Sequence, residues 1–130
     1  MNDDHDVEAE RLRLELRLLA LETRERATAT FIDFAKYVWP EMLIGEHHRR
    51  IASAFDRVIQ GKTKRLIIAM PPRHGKSQLG SYLFPAYVMG KKPDAKLIVG
   101  SHTAELAQRF GRMIRNLVEG DSYRELFPDT

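Results

Sequence analysis

One short loop carries the residues that are best suited to bind a ligand or to take part in a reaction. The sequence MPPRHGKS, at residues 70–77, lies between an apolar run and a helix-forming stretch. Such a loop can hold phosphate groups, because successive backbone N–H groups and the start of the following helix attract anions. Gly75 would let the backbone approach the phosphates, Lys76 would reach the outer ones, and Ser77 would bind Mg²⁺ through its hydroxyl. The pattern predicts a nucleotide phosphate-binding loop.

The match to the usual phosphate-loop pattern is incomplete. G-x-x-x-x-G-K-[ST] requires a glycine at the position of Met70. A Gly-Lys-Ser tripeptide also occurs by chance, so a proline-rich turn with a surface lysine is the alternative interpretation. The position between a strand-like run and a helix favours nucleotide binding, and Pro71 and Pro72 would stiffen the loop where glycine is missing.

Three further residues could take part in binding or catalysis: Arg73 in this loop, and His47 and His48 before it in the sequence. The guanidinium of Arg73 could contact the γ-phosphate and stabilise charge that develops during hydrolysis, or it could bind phosphate without a catalytic role or face solvent. His47 and His48 are adjacent on a predicted helix and face different sides, which argues against a two-histidine metal site. One of them could lie near an adenine ring; a solvated helix end is the alternative.

The elements around the loop alternate between short apolar runs and helices. Residues 65–70 and 96–100 are predicted strands, and residues 76–89 and 103–119 are predicted helices. Pro85 is expected to kink or end the first of these helices, and Ser101 or Thr103 to cap the second. The order strand, loop, helix, strand, helix predicts a parallel sheet with right-handed crossovers.

Three helices are predicted before the loop, over residues 8–27, 30–38 and 46–60. Pro40 is expected to stop the second helix and Gly61 to end the third. The first helix carries two leucine stripes on opposite sides. It either bridges its own domain and a partner or is wedged within a larger fold. The stripes are Leu12, Leu16 and Leu19, and Leu14, Leu18 and Leu21.

Composition is that of one soluble globular domain, with 130 residues, 43% apolar and 30% charged. The chain has no cysteine, which excludes disulfides, thiolate catalysis and cysteine-ligated metals. No apolar run is long enough to span a membrane, and the acidic start is unlike a signal peptide, so a cytoplasmic location fits. Net charge is −3 over residues 1–60 and +6 over residues 61–130. The positive charge of the second half suits phosphate-bearing partners; a basic solvated surface is the alternative interpretation.

Residues 30–127 resemble the ATPase portion of the large subunit of terminases from tailed phages and prophages. The resemblance is carried by HHRRIASAFDRVI at 47–59, the PPRHGKS loop, FPA at 84–86 and the closing LFP at 126–128. It implies an α/β fold: a P-loop NTPase core, with a parallel sheet and flanking helices, preceded by N-terminal helices. We expect residues 1–28 to form an acidic, leucine-rich helix and residues 29–130 the first part of the ATPase domain, without its later strands and the nuclease domain.

The function that this resemblance implies is ATP-driven packaging of viral DNA into procapsids, with a nuclease that cuts concatemeric DNA. The implied cofactors are ATP and Mg²⁺. The implied partners are double-stranded viral DNA, the terminase small subunit, the portal and other copies in a homo-oligomeric ring, in the bacterial host cytoplasm. Arg73 and Lys76 would be catalytic, Ser77 would bind Mg²⁺, and His48 would lie on the adenine side. The implied phosphate-binding set is Arg73, His74, Gly75, Lys76, Ser77 and Gln78.

The sequence departs from the family pattern in its acidic residues. Hydrolysis requires an Asp for Mg²⁺ and a Glu that positions water, and no apolar run here ends in paired acids. Asp121, Glu125 and Asp129 lie in or after the last helix and do not substitute. We therefore expect the first part of a terminase that binds nucleotide phosphates at most, and whether it is an enzyme stays open. The alternatives are a helicase-like or other P-loop ATPase and a non-catalytic truncated remnant.

Overall fold

The computed structural model describes residues 2–70 and 78–130, and helices build the fold of this part of the chain. Residues 78–83 form a π-helical turn, labelled π1, which continues into the helix after it. The elements in chain order are α1 (Asn2–Ala29), α2 (Phe31–Val38), α3 (Glu46–Ile59), π1 (Gln78–Leu83), α4 (Phe84–Lys91), α5 (Ala104–Glu119) and α6 (Asp121–Leu126).

The predicted α/β fold class, a P-loop NTPase core with a parallel sheet, is wrong for the described residues. Neither residues 65–70 nor residues 96–100 form a strand, and residues 2–70 and 78–130 contain no sheet. A parallel strand is stable inside a sheet that pairs its backbone and covers both faces. These runs lie at the surface instead, with Ile67 94% and Ile98 99% exposed. Their composition suits a buried strand, but the described fold gives them no neighbouring strands.

The helices predicted on either side of this region are present, although α1 extends over Asn2–Ala29, beyond the predicted residues 8–27. The Thr30 hydroxyl accepts a hydrogen bond from the N–H of Asp33 and caps α2. The Thr103 hydroxyl caps α5 in the same way, accepting from the N–H of Leu106 at 3.2 Å. Gly61, just beyond α3, has φ of +78°, a left-handed conformation that glycine adopts without strain.

The helix predicted to follow the loop is present, but its geometry changes along its length. Its described part begins at Gln78 as π1 and becomes the α-helix α4 at Phe84, with Pro85 in the first turn of α4. Proline has no N–H to donate to the preceding turn, and it lies here just after the change from π1 to α4. The helix does not end at Pro85, because it continues to Lys91.

Aromatic side chains make up six of the fourteen described buried residues of the core cluster, with α2 at its centre. Phe31 and Phe34 are fully buried, and Phe31 meets the ring of Phe55 on α3 edge-on at 5.1 Å. The ring of Tyr87 on α4 lies 5.0 Å from that of Phe34. Aromatic pairs of this kind stabilise a core beyond the area they bury. The other buried members of the core cluster are Ala27, Ala35, Ile51, Ala52, Leu79, Leu83, Ala86, Tyr123, Leu126 and Phe127.

Helix α5 is amphipathic as predicted, yet none of its residues is fully buried. The residues on its apolar side are half-buried, and the described part of the chain forms no sheet for them to cover. These residues are Leu106, Phe110, Ile114, Leu117 and Val118.

Polar contacts join the two ends of the chain to the core. The Tyr123 hydroxyl donates to the carbonyl oxygen of Ala86 at 2.7 Å, which fixes α6 on α4. The carbonyl oxygen of Thr28, near the end of α1, accepts from the Tyr87 hydroxyl at 3.2 Å and from Lys91 Nζ at 2.9 Å. These bonds satisfy a carbonyl that has no partner inside its own helix. None of the helices that the structure describes combines the length and the apolar character needed to span a membrane.

Candidate functional site

The segment that leads into the predicted phosphate loop lies extended beside α3. Ile68 and Met70 pack against the core cluster, whereas Ile67 between them is 94% exposed. Side chains that alternate in this way are typical of an extended backbone. Met70 is the last described residue before positions 71–77, so the chain enters the loop from a point that packing holds in place.

A depression of about 290 Å³ lies between this segment and the start of α3. His47 and Arg50 contribute its polar side chains. The remaining lining residues are Ile51, Ala54, Leu66, Ile67, Ile68, Ala69 and Met70. An imidazole and a guanidinium over an apolar floor can stack on a heteroaromatic ring or donate hydrogen bonds to it.

The two adjacent histidines differ in their surroundings. The N–H of Gly45 donates to Nδ1 of His48 at 2.9 Å, so this imidazole holds the chain at the start of α3. His47 lies with its ring centroid 3.8 Å from that of His48 and lines the depression. The predicted adenine-side role of His48 is untested, and His47 is the histidine that lines the depression beside the loop entry.

A second depression, of about 430 Å³, lies on the other side of the same segment, between α3 and π1. Lys64 and Ser81 are its polar lining residues, and Phe55, Val58 and Phe84 supply part of its apolar wall. Sequence reasoning missed Lys64 and Ser81. Neither belongs to a motif, and only the packing of residues 64–68 against π1 brings them together.

Packing also fixes the element that follows the loop. Leu79 and Leu83 in π1 are fully buried in the core cluster. π-helical turns are rare and often occur at functional sites. Gln78, the first residue of π1, is half-buried. The described chain is therefore held on both sides of residues 71–77, by Met70 before them and Leu79 after them.

Most of the predicted site residues lie outside the described part of the chain. The structure describes one member of the phosphate-binding set, Gln78. The other five members lie outside the described residues, and they include both predicted catalytic residues and the predicted Mg²⁺ ligand. Those five are Arg73, His74, Gly75, Lys76 and Ser77. In residues 2–70 and 78–130, no group of three or more His, Asp or Glu side chains is placed to hold a metal ion.

Glu125, one of the acidic residues near the C-terminus, takes part in contacts between helices. Glu125 accepts a hydrogen bond from the Tyr37 hydroxyl at 2.8 Å and lies 3.8 Å from the guanidinium of Arg24. Burial and the neighbouring Glu125 carboxylate raise the pKa of Tyr37. These contacts join α6 to α1 and α2, which gives Glu125 a structural role.

The chain matches no protein-family model, no curated protein and no solved structure. Function is therefore inferred from the loop sequence at residues 71–77 and from the contacts that flank it.

Proposed function

We propose that the chain is a segment of a terminase large subunit that contributes nucleotide binding to ATP-driven packaging of viral DNA in a bacterial host. The observation that carries this proposal is the PPRHGKS sequence at residues 71–77, followed directly by the helical residues from Gln78 onward. A glycine-containing loop at the start of a helix is a favourable place for phosphate, because N–H groups without a partner converge there.

Phosphate binding at such a loop does not require a sheet. The attraction comes from backbone N–H groups, the helix dipole and the lysine charge, which are all local to the loop and the helix. What the rest of the fold must supply is a fixed position for the loop. Met70 and Leu79, which both pack on the core cluster, support the proposal in this respect.

Each proposed role follows from the chemistry of the side chain. Lys76 pairs with the outer phosphates, Ser77 binds Mg²⁺ through its hydroxyl, and Arg73 contacts the γ-phosphate. The depression beside His47 and Arg50 adjoins the entry to the loop and is suited to the nucleobase. Double-stranded DNA, the terminase small subunit, the portal and further copies of the chain are partners of the proposed packaging function.

We expect the 130-residue chain to bind ATP with Mg²⁺ but to have negligible turnover. Hydrolysis needs a carboxylate that orients water and another that holds the metal, and no apolar run in this sequence ends in such a pair. Turnover by this chain that disappears in Lys76→Ala would contradict the expectation of negligible hydrolysis, although it would support the phosphate loop.

Binding of a fluorescent ATP analogue with Mg²⁺, followed by anisotropy, tests the loop. Lys76→Ala removes a charged contact worth about 1.5–3 kcal/mol, so Kd should rise about 10- to 100-fold. Lys92→Ala is the matched control, because Lys92 is an exposed lysine just after α4 and outside the loop. Equal affinity of wild type and Lys76→Ala, or no binding by either, would refute the phosphate loop.

A separate observation distinguishes packaging from a helicase-like function. The genomic DNA that follows the codon for Thr130 can be translated in the same frame. A continuation with an apolar strand ending in Asp-Glu and a later carboxylate cluster of a nuclease would support the terminase assignment. A continuation with helicase-type elements and no such cluster would replace it.

A further inference from the structure

The end of α3 and the turn after it carry cations that no other described side chain neutralises. Arg57, Lys62 and Lys64 are exposed. None of the three side chains forms an ion pair or a hydrogen bond with a residue that the structure describes. We call these three residues the basic turn. Cations at the surface without such partners are available to an anionic ligand.

Backbone hydrogen bonds hold the basic turn in one conformation. The N–H of Lys62 donates to the carbonyl oxygen of Arg57 at 3.0 Å, and the N–H of Gly61 donates to that of Val58 at 3.1 Å. With Gly61 in the left-handed conformation, these two bonds form a Schellman motif, which brings the residue after the glycine back to the last turn of the helix. The N–H of Thr63 also donates to the carbonyl oxygen of Arg57, at 3.2 Å. Arg57 and Lys62 are therefore neighbours on a turn that forms without a ligand.

Lys64 lies on the same side of its segment as the end of α3. It lines the depression of about 430 Å³ between α3 and π1, together with Val58 of α3. Alternate side chains of an extended segment point the same way, and Leu66, two residues after Lys64, lines this depression as well. Arg65 falls on the other side of the segment and is not part of the basic turn. Three positive charges thus surround the end of α3.

The sequence places no carboxylate among these cations. No Asp or Glu occurs from residue 57 to residue 93, and position 53, four residues before Arg57 on α3, is a serine. The carboxylate of Asp56 accepts from the N–H of Phe31 at 2.9 Å, so it is directed at the start of α2. The charges of the basic turn are therefore not offset by acidic neighbours in the sequence.

The exposed arginines of α5 form a second basic group, with different neighbours. Arg109, Arg112 and Arg115 are exposed on this helix. Glu105 lies four residues before the first of them and Glu119 four residues after the last. Opposite charges at this spacing on a helix attract each other, which offsets part of the positive charge of α5. Of the two groups, the basic turn has less of its charge offset locally.

We propose that the basic turn binds the phosphate backbone of double-stranded DNA. A duplex carries a negative charge about every 1.7 Å along its axis, so that closely spaced cations each contact a phosphate and release its counterions. Guanidinium and ammonium groups donate to phosphate oxygens without reading the base sequence, as packaging of a whole genome requires. The choice of DNA as the polyanion rests on the proposed packaging function. The surface itself uses no residue of the loop at 71–77.

Anisotropy of a short fluorescein-labelled DNA duplex, titrated with the full chain, tests this surface. The turn variant is Arg57→Gln/Lys62→Gln/Lys64→Gln. The matched control, Arg109→Gln/Arg112→Gln/Arg115→Gln, removes the same charge from α5. In about 50 mM salt the turn variant should bind at least about 10-fold more weakly than wild type, and the slope of log K against log salt should become shallower by about 3. The control should stay within about 3-fold of wild type, because salt screens charges that do not touch the duplex.

Failure to bind the duplex in wild type, or equal weakening in the two variants, would overturn the proposal. Lys62→Arg/Lys64→Arg keeps both charges and should bind DNA like wild type, whereas a loss in this variant would contradict a contact made by charge. Tighter binding of the chain to vesicles that contain anionic lipid than to DNA, at the same salt concentration, would replace DNA by a membrane surface.

The fluorescent ATP analogue, measured on the same proteins, separates this proposal from the phosphate loop. The turn variant should bind the analogue like wild type, which also shows that it is folded. A chain that binds the analogue but not the duplex would refute the DNA surface and leave the loop intact. A chain that binds the duplex through the basic turn but not the analogue would refute the loop alone.

Discussion

Two apolar regions of this chain have opposite positions in the structure. The aromatic core around α2 is sealed from solvent, with Phe31 and Phe34 at 0% exposure. The apolar runs at residues 65–70 and 96–100 lie at the surface, where Ile67 and Ile98 are 94% and 99% exposed. Apolar composition favours burial in both regions equally. What differs is the presence of a partner surface.

The core has partners because each of its helices brings rings to the same place. Phe31 of α2 meets Phe55 of α3, Phe84 and Tyr87 of α4, and the Phe55 and Phe84 rings stack at 4.1 Å. A strand needs backbone hydrogen bonds to a neighbouring strand before its side chains can form a buried layer. The described residues give the two runs no such neighbour, so Ile67 and Ile98 stay in water, and only Ile68 and Met70 pack in part against the core cluster.

The largest expected effect concerns the core. Phe34→Ala removes a fully buried ring that contacts Tyr87, Tyr123 and Phe127. We expect the free energy of unfolding to fall by about 3–5 kcal/mol, the range for removal of a buried phenylalanine ring. Urea unfolding followed by circular dichroism measures this change. A loss below about 1 kcal/mol would mean that the ring is not packed as described and would remove the contrast between the two regions.

An intermediate effect concerns the half-buried polar contact at the start of α2. The N–H of Phe31 donates to Oδ1 of Asp56 on α3 at 2.9 Å. Asp56→Ala leaves this N–H without its acceptor, which should lower the free energy of unfolding by about 1–2 kcal/mol. Asp56→Asn retains an oxygen acceptor and is the matched control, with a smaller loss expected in the same urea experiment. Equal losses in the two variants would show that the hydrogen bond contributes nothing measurable.

The pH dependence of these variants follows from the carboxyl group of Asp56. Burial raises its pKa above 3.8, although the hydrogen bond from Phe31 acts in the opposite direction. Between pH 3.8 and the raised pKa the folded protein binds more protons than the unfolded chain, so wild-type stability falls as the pH rises through this interval. Asp56→Asn should lack this fall. Parallel stability curves for both proteins would contradict the raised pKa.

The smallest expected effect concerns the exposed runs. Ile67→Thr and Ile98→Thr keep the β-branched shape and replace apolar surface that is already in water, so the free energy of unfolding should change by less than about 0.5 kcal/mol. Urea unfolding of both variants beside Phe34→Ala measures the contrast directly. A loss above about 2 kcal/mol in either variant would mean that the run is buried, and that both apolar regions are core.

Sequence reasoning succeeded where the information was local. Thr103, one of two predicted candidates, caps α5, and Gly61 ends α3 as predicted, since each depends on the chemistry of a residue and its immediate neighbours. It failed for residues 65–70 and 96–100, because a short apolar run is compatible with a strand or an unpaired extended segment. The α6 helix, at Asp121–Leu126, was not predicted, and it is held by the contact between Tyr123 and Ala86, 37 positions apart.

For the candidate site the division is similar. The loop sequence at residues 71–77 and the histidine pair were visible from residue types and spacing alone. The difference between His47 and His48 was not, because it arises from the N–H of Gly45 and from residues 66–70 lying beside α3. Lys64 and Ser81 likewise acquire a common position only through packing.

The sequence by itself determined the helices from α1 to α5, the Thr103 cap and the presence of an incomplete phosphate-loop motif, because hydrogen bonds and steric limits within a few residues specify them. Tertiary structure alone decided which apolar segments are buried and which histidine lines the depression beside the loop. Burial depends on a complementary surface from a distant part of the chain. Such a surface encloses α2 and covers Ile68 and Met70 in part, whereas Ile67 and Ile98 have none among the described residues.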